Sequence, residues 1–467
     1  MPPAVQAVVL VAGGGAQPGS GTATGMHDLL GRPLLDWVLR AVEPLGADPL
    51  LIVAEEETEA VRAVSAGRAH AVVHAPPHGV GDALGTAARS VGLQPGRPLL
   101  LVDGNLPLLR GDTLRGLLDH HHASGARATL LAARLAQPGA GDRVVRDRDG
   151  RVRALAAASD ATREQLAIDE VDVGVYVFEV GPWLEALERA GAGRTEYRPA
   201  EVVARLVAAS EHVEALATDD TRVAWRVRSL AELASLAATL RAERNTALMA
   251  AGVVVEDPET TWVSPDADVE PEAVLRPGSL LEGRTVVRRG ARIGPFARLV
   301  DTEVGERAQV LDHCLLHEAH VAARATIGPF AHLRPGTTVG EAARVGNFVE
   351  LKKTHLGPGA KAPHLSYLGD AVIGSRANIG AGTITCNYDG HTKHPTQIGE
   401  GAFVGSDTTL VAPLSVGAGS YVGAGSTITK DVPEDALALS RAPQVVKPGW
   451  AKRRREARAK ASREPGR

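Results

Sequence analysis

Four short stretches in the second half of the chain hold the side chains best suited to chemistry: LRPG at 333–336, VGNFVELKK at 345–353, KAPHLSYLGD at 361–370 and NIGAGTITCNYDG at 378–390. His364 carries an imidazole, the side chain that titrates nearest neutral pH and so can accept a proton there. Arg334, Lys352 and Lys393 bring cations able to hold an oxyanion, the guanidinium as a fork and the ammonium groups as point charges. Glu350 supplies a carboxylate, while Asn378, Asn387, Tyr367 and Tyr388 supply amides and phenols with fixed hydrogen-bond directions. Taken singly, each has a bland explanation: a lone histidine is ordinary on a surface, and an isolated arginine or lysine is a solvated charge. Together they need a scaffold that keeps them in register.

That scaffold is written in a six-residue metre. Aliphatic residues return at Val269, Leu275, Leu281, Val287 and Ile293, then at Ile327, Leu333, Val339, Val345 and Leu351, then at Ile398, Val404, Leu410, Val416, Val422 and Ile428. A helix repeats apolar residues about every 3.6 positions and a simple strand about every second, so a sustained six fits neither. The metre predicts a hexapeptide β-helix over 251–445, with three repeats to each triangular coil and one aliphatic stacked on the next. The polar stretch 385–396 breaks the metre and is expected to project as a loop, where function collects in solenoids.

The rest of the chain reads differently. Residues 1–228 alternate strand-like runs with helical patterns, for example 5–11, the helix 34–42, and strands at 49–54 and 98–103, which argues for an α/β domain on a largely parallel sheet. Residues 229–250 form a linking helix with Leu230, Leu233, Leu236 and Leu240 on one side. Residues 446–467 are a basic tail without an apolar face, expected to be disordered. The 467 residues exceed what one core supports, and a net charge of −4 with mixed signs argues against a nucleic-acid partner. Two cysteines, Cys314 and Cys386, suit a cytoplasmic protein without a disulfide framework. No apolar run approaches the roughly 20 residues of a membrane span, and the N-terminus lacks the features of a signal peptide.

The four polar stretches closely resemble the acetyltransferase half of the bifunctional GlmU enzymes, and the layout of the whole chain is similar to theirs. The resemblance implies an α/β Rossmann-like nucleotidyltransferase domain followed by an all-β left-handed parallel β-helix of hexapeptide repeats, assembled as a homotrimer with active sites between subunits. It also implies acetyl-CoA-dependent N-acetylation of glucosamine 1-phosphate to N-acetylglucosamine 1-phosphate, in UDP-N-acetylglucosamine biosynthesis. On the family pattern His364 is the base, Glu350 supports it electrostatically, and Asn387 and Tyr388 on the loop hold the reacting groups. Arg334, Lys352 and Lys393 match the phosphate clamp, and Tyr367 and Asn378 the sugar site. Ala381, Tyr388, Ser406, Ala424 and Arg441 match positions for acetyl-CoA, a co-substrate. Direct attack of the amine on the thioester needs no protein nucleophile and no metal. One departure stands beside the base: Pro363 replaces the usual Asn, removing a backbone donor and fixing φ, so the local turn is open to retuning, with activity expected to survive.

The first half departs further. The family opens with AAGxGTRMxSxxPK, whereas this chain reads VAGGGAQPGSGTATG from Val11, with Gln17 at the Arg position and Thr24 at the Lys position. LGT is kept at 84–86, but the preceding Gln is Val80, and Asn105 stands where the family has an Asp that ligates magnesium. Ala157 and Ser159 replace a Glu and a Lys, the NTG reads Asp172, Val173, Gly174, and no Asn pair occurs at 223–229. A neutral amide is a poorer ligand for a hard dication than a carboxylate, and phosphoryl transfer relies on metal and cationic stabilisation. The expectation is a nucleotidyltransferase fold with weak or lost uridylyl transfer, Mg²⁺ mattering only if that site is active. Two alternatives stay open: a full bifunctional enzyme that uses UTP despite the substitutions, and a first domain that serves as a nucleotide-binding or scaffold module.

Overall fold

The computed structural model describes residues 5–11, 24–47, 49–54, 58–74, 93–94, 96–191 and 199–461. The chain divides into two compact units, Met1–Ala242 and Glu243–Arg467.

In the first unit the main sheet runs in the order Val213–Thr218, Ala128–Arg134, Glu170–Glu179, Pro98–Asp103, Gln6–Leu10, Pro49–Ala54, His70–His74. The helix Leu34–Val42 and the strands Pro49–Ala54 and Pro98–Asp103 lie where the sequence pattern puts them. Pro98–Asp103 is a central strand and alternates its cover: Leu99 and Leu101 join Phe178 and Trp183 in one core, Leu100 and Val102 join Leu35 and Leu117 in the other. The main sheet is largely parallel, as expected, but mixed, because Glu170–Glu179 runs antiparallel to both neighbours. The segment before it is the hairpin Arg143–Arg146 and Val152–Ala156, and an antiparallel neighbour needs no long crossover helix.

The expected linking helix is Leu230–Ala250. Leu236 and Leu240 are buried, but Leu230 is exposed. Within the second unit Leu248 on its last turn joins the solenoid core, and the Asn245 amide donates to the carbonyls of Pro258 and Thr261, both at 2.9 Å, closing the first coil.

The second unit is a parallel β-solenoid. Neighbouring coils pair in register 18 residues apart, as Val274 with Arg292, or 17 apart, as Arg298 with Leu315. The metre's aliphatics are its interior: Leu275, Ile293, Ile327, Leu333, Val345, Leu351, Val404 and Leu410 have no exposed surface. Where the metre lapses, between Ile293 and Ile327, the coils continue with shortened repeats that carry Val304 and Val321 inward, both fully buried. One corner of the coil places a residue at left-handed φ each time round: Phe296, His313, Phe330, Phe348 and Leu365, then Gly382, Asp407 and Gly425. Left-handed backbone costs a non-glycine residue roughly 1–2 kcal/mol. Ring stacking offsets part of that: Phe296, His313, Phe330 and Phe348 follow one another at centroid spacings of 5.1, 4.9 and 5.5 Å.

The tail corrects the expectation of disorder. Trp450–Ala461 is an α-helix with no buried residue, as Ala, Arg, Lys and Glu favour a helix locally whether or not a face is covered. Both cysteines are free, Cys314 buried and Cys386 half-buried. No helix among the described residues is long and apolar enough to cross a membrane.

Candidate functional site

Because every coil takes the corner in the same way, the residue just before the left-handed position recurs as a column. From Asn347 upward that column is His364, Ala381, Ser406 and Ala424. Its register is set by Asn347 opposite His364 and by backbone bonds from Gly382 to the Leu365 carbonyl (2.7 Å), Asp407 to Ala381 (2.7 Å) and Gly425 to Ser406 (2.8 Å). Arg441 completes it, its Nη1 donating to the Ala424 carbonyl at 2.6 Å. Four residues singled out from the sequence as cofactor positions, Ala381, Ser406, Ala424 and Arg441, thus climb directly from His364. Neighbouring strands lie about 4.8 Å apart, so three steps carry the column roughly 14 Å. The glycines before these residues admit the next coil: a Cβ on Gly380 would meet the Ser406 nitrogen at 2.5 Å, and one on Gly405 the Ala424 nitrogen at 2.5 Å.

Pro363 is absorbed within the strand Lys361–Gly369. The pairs Val345 with Ala362 and Asn347 with His364 continue on either side of it, and its carbonyl sits where Gly346 would carry a Cβ. His364 itself is exposed, Ser366 Oγ donates to its carbonyl at 2.8 Å, and its Nδ1 lies 2.9 Å from Asn347 Oδ1.

Glu350 is held by a cation. Arg334 Nη1 donates to its Oε1 at 2.8 Å, with both side chains more than a third exposed, so the pair contributes at most about 1 kcal/mol. The side chain that meets His364 is Asn347. The expected phosphate cations do converge: repulsion from Lys393 holds the Lys352 ammonium below its ordinary range, Arg334 adds to it, and Asp370 opposes it. Such a concentration of positive charge suits an oxyanion with two charges.

Asn387 is buried, and its Nδ2 donates to Asp370 Oδ2 at 2.5 Å. The Tyr367 hydroxyl and Asn387 Nδ2 both crowd Gly369, at 2.5 and 2.8 Å from where a Cβ would stand, so only glycine lets them approach each other. The loop that follows projects as expected and is closed by its own bonds. Asp389 accepts from the backbone nitrogens of Thr392 (2.7 Å) and His391 (2.8 Å) and lies 2.7 Å from His394 Nε2. The backbone amide of Thr392 and the His394 ring hold its carboxyl well below the usual range. Tyr388 is exposed and bridges Lys393 across the loop. Asn378 is set apart: it pairs with Lys361 below and Phe403 above, on the face before the corner, whereas Tyr367 lies on the face after it. Its neighbour Ile379 points into the core, so Asn378 is not a stacked interior amide.

Asn347 and Asp370 were not singled out from the sequence. The signal was present, since Asn347 to His364 and Asp370 to Asn387 are each one coil of 17 residues.

In the α/β unit Arg226 centres a network that, among the described residues, leaves the buried Asn105 Oδ1 without a hydrogen-bond partner. Arg226 donates from Nη2 to the Val173 carbonyl at 2.8 Å and faces Asp103 Oδ2 from Nη1 at 3.4 Å. Asp103 Oδ1 accepts from the Asn105 nitrogen at 3.3 Å, the Val227 nitrogen donates to the Asn105 carbonyl at 3.1 Å, and the Tyr176 hydroxyl donates to Asp172. A side chain at Gly174 would run into the Arg226 guanidinium. Burial pushes the carboxyls of Asp103 and Asp172 above their ordinary range against the pull of Arg226. A guanidinium this close to Asp103, with an amide at 105, is a poor donor set for a hard dication. Ala157 and Ser159 lie within the described residues, whereas Gln17, Val80 and the LGT at 84–86 lie outside them.

Residues 7–250 match the family model described as a MobA-like NTP transferase domain. The chain is 40% identical over 454 residues to the "Bifunctional protein GlmU" of Trichlorobacter lovleyi, covering 96% of this chain and 98% of the relative. It is 39% identical over 450 residues to the protein of the same name from Pelobacter propionicus, covering 96% and 98%. The like-named protein of Anaeromyxobacter sp. is 42% identical over 471 residues, covering 99% and 96%.

Proposed function

This chain belongs to the bifunctional GlmU family, and we propose that its solenoid, residues 251–445, transfers the acetyl group of acetyl-CoA to the amine of glucosamine 1-phosphate. The observation that carries this reading is the corner column, with small residues at 381, 406 and 424 stacked above an exposed imidazole and three cations converging about Lys352 further along the same strands. His364 takes a proton from the ammonium group. The freed amine attacks the thioester carbonyl, an N–C bond forms, the C–S bond breaks, and the CoA thiolate leaves. Arg334, Lys352 and Lys393 hold the sugar phosphate, Tyr367 and Asn378 the sugar. Asn387, anchored by Asp370, and Tyr388 line the reacting end, and Ala381, Ser406, Ala424 and Arg441 the CoA arm. Glu350 acts through Arg334. Tyr367 and Asn378 lie on opposite sides of one corner, which supports a homotrimer in which neighbouring chains complete each site.

Residues 1–228 keep the nucleotidyltransferase fold with uridylyl transfer weak or lost, joined through 229–250, and residues 446–467 lie beyond the catalytic unit. The pairing of Arg226 with Asp103, beside an amide at 105, supports this. A second reading, full bifunctionality, is favoured by the match along nearly the whole chain to relatives named bifunctional. One coupled experiment tests both. With glucosamine 1-phosphate and acetyl-CoA, release of the CoA thiol is expected, and none would refute acetyl transfer. With UTP, Mg²⁺ and N-acetylglucosamine 1-phosphate, pyrophosphate release near background is expected, and turnover like that of ordinary relatives would establish the second reading.

A further inference from the structure

We infer that Asn347 is a positioning residue for the base: its side-chain carbonyl fixes the tautomer and orientation of the His364 imidazole. This rests on the acetyl-transfer reading of the corner. The two residues are register partners in adjacent coils, and Asn347 Oδ1 lies 2.9 Å from His364 Nδ1. An amide oxygen only accepts, so Nδ1 carries the proton and Nε2 keeps the lone pair that can take one from substrate. The contact is built into the fold. Gly346 is bare because the Pro363 carbonyl stands where its Cβ would be, which locks the register one residue before the pair. Phe348, one residue after Asn347, turns the corner at φ 58° and stacks on Phe330 at 5.5 Å. The column neighbours on either side are Pro329 and Ala381, which bring no side-chain hydrogen-bonding group, so Asn347 is the polar partner this column offers the ring.

The pair is tested by substitution and by spectroscopy. Asn347→Ala is expected to lower kcat about tenfold to a hundredfold, as loss of a histidine's orienting partner does, with KM for both substrates unchanged. Asn347→Asp keeps an acceptor and is expected to stay within a few-fold of wild type. In the His364→Ala background, Asn347→Ala is expected to add no further loss, the signature of two residues acting as one unit. In ¹⁵N-histidine spectra of the full-length protein, neutral His364 is expected as the Nδ1–H form, shifting toward Nε2–H in Asn347→Ala. Unchanged turnover in His364→Ala would overturn the base reading and this inference with it. Loss in His364→Ala with unchanged kcat in Asn347→Ala, equal losses for Ala and Asp at 347, or an Nε2–H resonance in wild type would overturn the inference alone.

Discussion

The polar groups of the solenoid corner and those of the α/β unit differ in what they have left to give. In the α/β unit Arg226 is engaged on both sides, by Asp103 and by the Val173 carbonyl, and Asp172 is held by Tyr176. These half-buried groups are engaged with one another, which low local dielectric makes favourable. In the solenoid, three cations converge about Lys352 with Glu350 bonded to Arg334 and Asp370 near Lys352 as partial offset, and the His364 imidazole at its corner meets the Asn347 amide. Unbalanced like charge is unfavourable until a ligand of opposite charge arrives. The same residue types therefore read as structure in one unit and as a waiting site in the other.

The sharpest way to break this contrast is to remove the base. His364→Ala is expected to reduce acetyl-transfer turnover by about 10² to 10⁴, as loss of a general base does, without moving the melting temperature. A large loss of stability instead would place His364 among the structural groups. The reverse is expected of Arg226→Met. It leaves Asp103 and Asp172 without their cation and should cost the α/β unit about 3 kcal/mol by chemical denaturation, while acetyl-transfer kcat stays at the wild-type value. Lys393→Ala is smaller in effect: KM for glucosamine 1-phosphate is expected to rise about tenfold, with KM for acetyl-CoA unchanged, and phosphate-free glucosamine should be indifferent to the substitution.

The smallest effect is a pH dependence. A carboxyl whose pKa is raised on folding is protonated more readily in the folded state. Its contribution to stability is therefore fullest below the ordinary carboxylate range and declines as pH rises through that range toward the raised value. Asp172 is such a group. Asp172→Asn removes its titration, so the melting temperature of the variant, relative to wild type, should climb as pH rises above the ordinary carboxylate range. A constant difference would mean that Asp172 is ionised in the folded state at no net cost.

Much of the solenoid could be read from the chain because one periodicity encodes one fact: which residues point inward. Leu333, Val345 and Leu351 declare themselves at six-residue spacing, and so does the loop that interrupts it. The partner of His364 was hidden because its offset is 17, not 18, and the five-residue repeats that produce this offset blur the metre. The antiparallel course of Glu170–Glu179 was hidden because alternation marks a strand but not its direction. The helix Trp450–Ala461 was missed because composition poor in apolar residues was taken for disorder, whereas propensity acts residue by residue. Arg226 is one of two arginines in VAWRVRS, and only tertiary packing separates this half-buried one from the exposed Arg228.

The corner column has one more consequence. Positions along it are separated by whole coils, so the site is a ruler graduated in steps of about 4.8 Å. Inserting one coil between Ala381 and Ser406 would move the distal half away by a full step and leave Asn347 and His364 untouched. Length changes in this enzyme are quantised: a donor longer by a fraction of a step can be met only by changing side chains in place. Acyl-donor reach in such a solenoid can drift by substitution but can jump only by a coil.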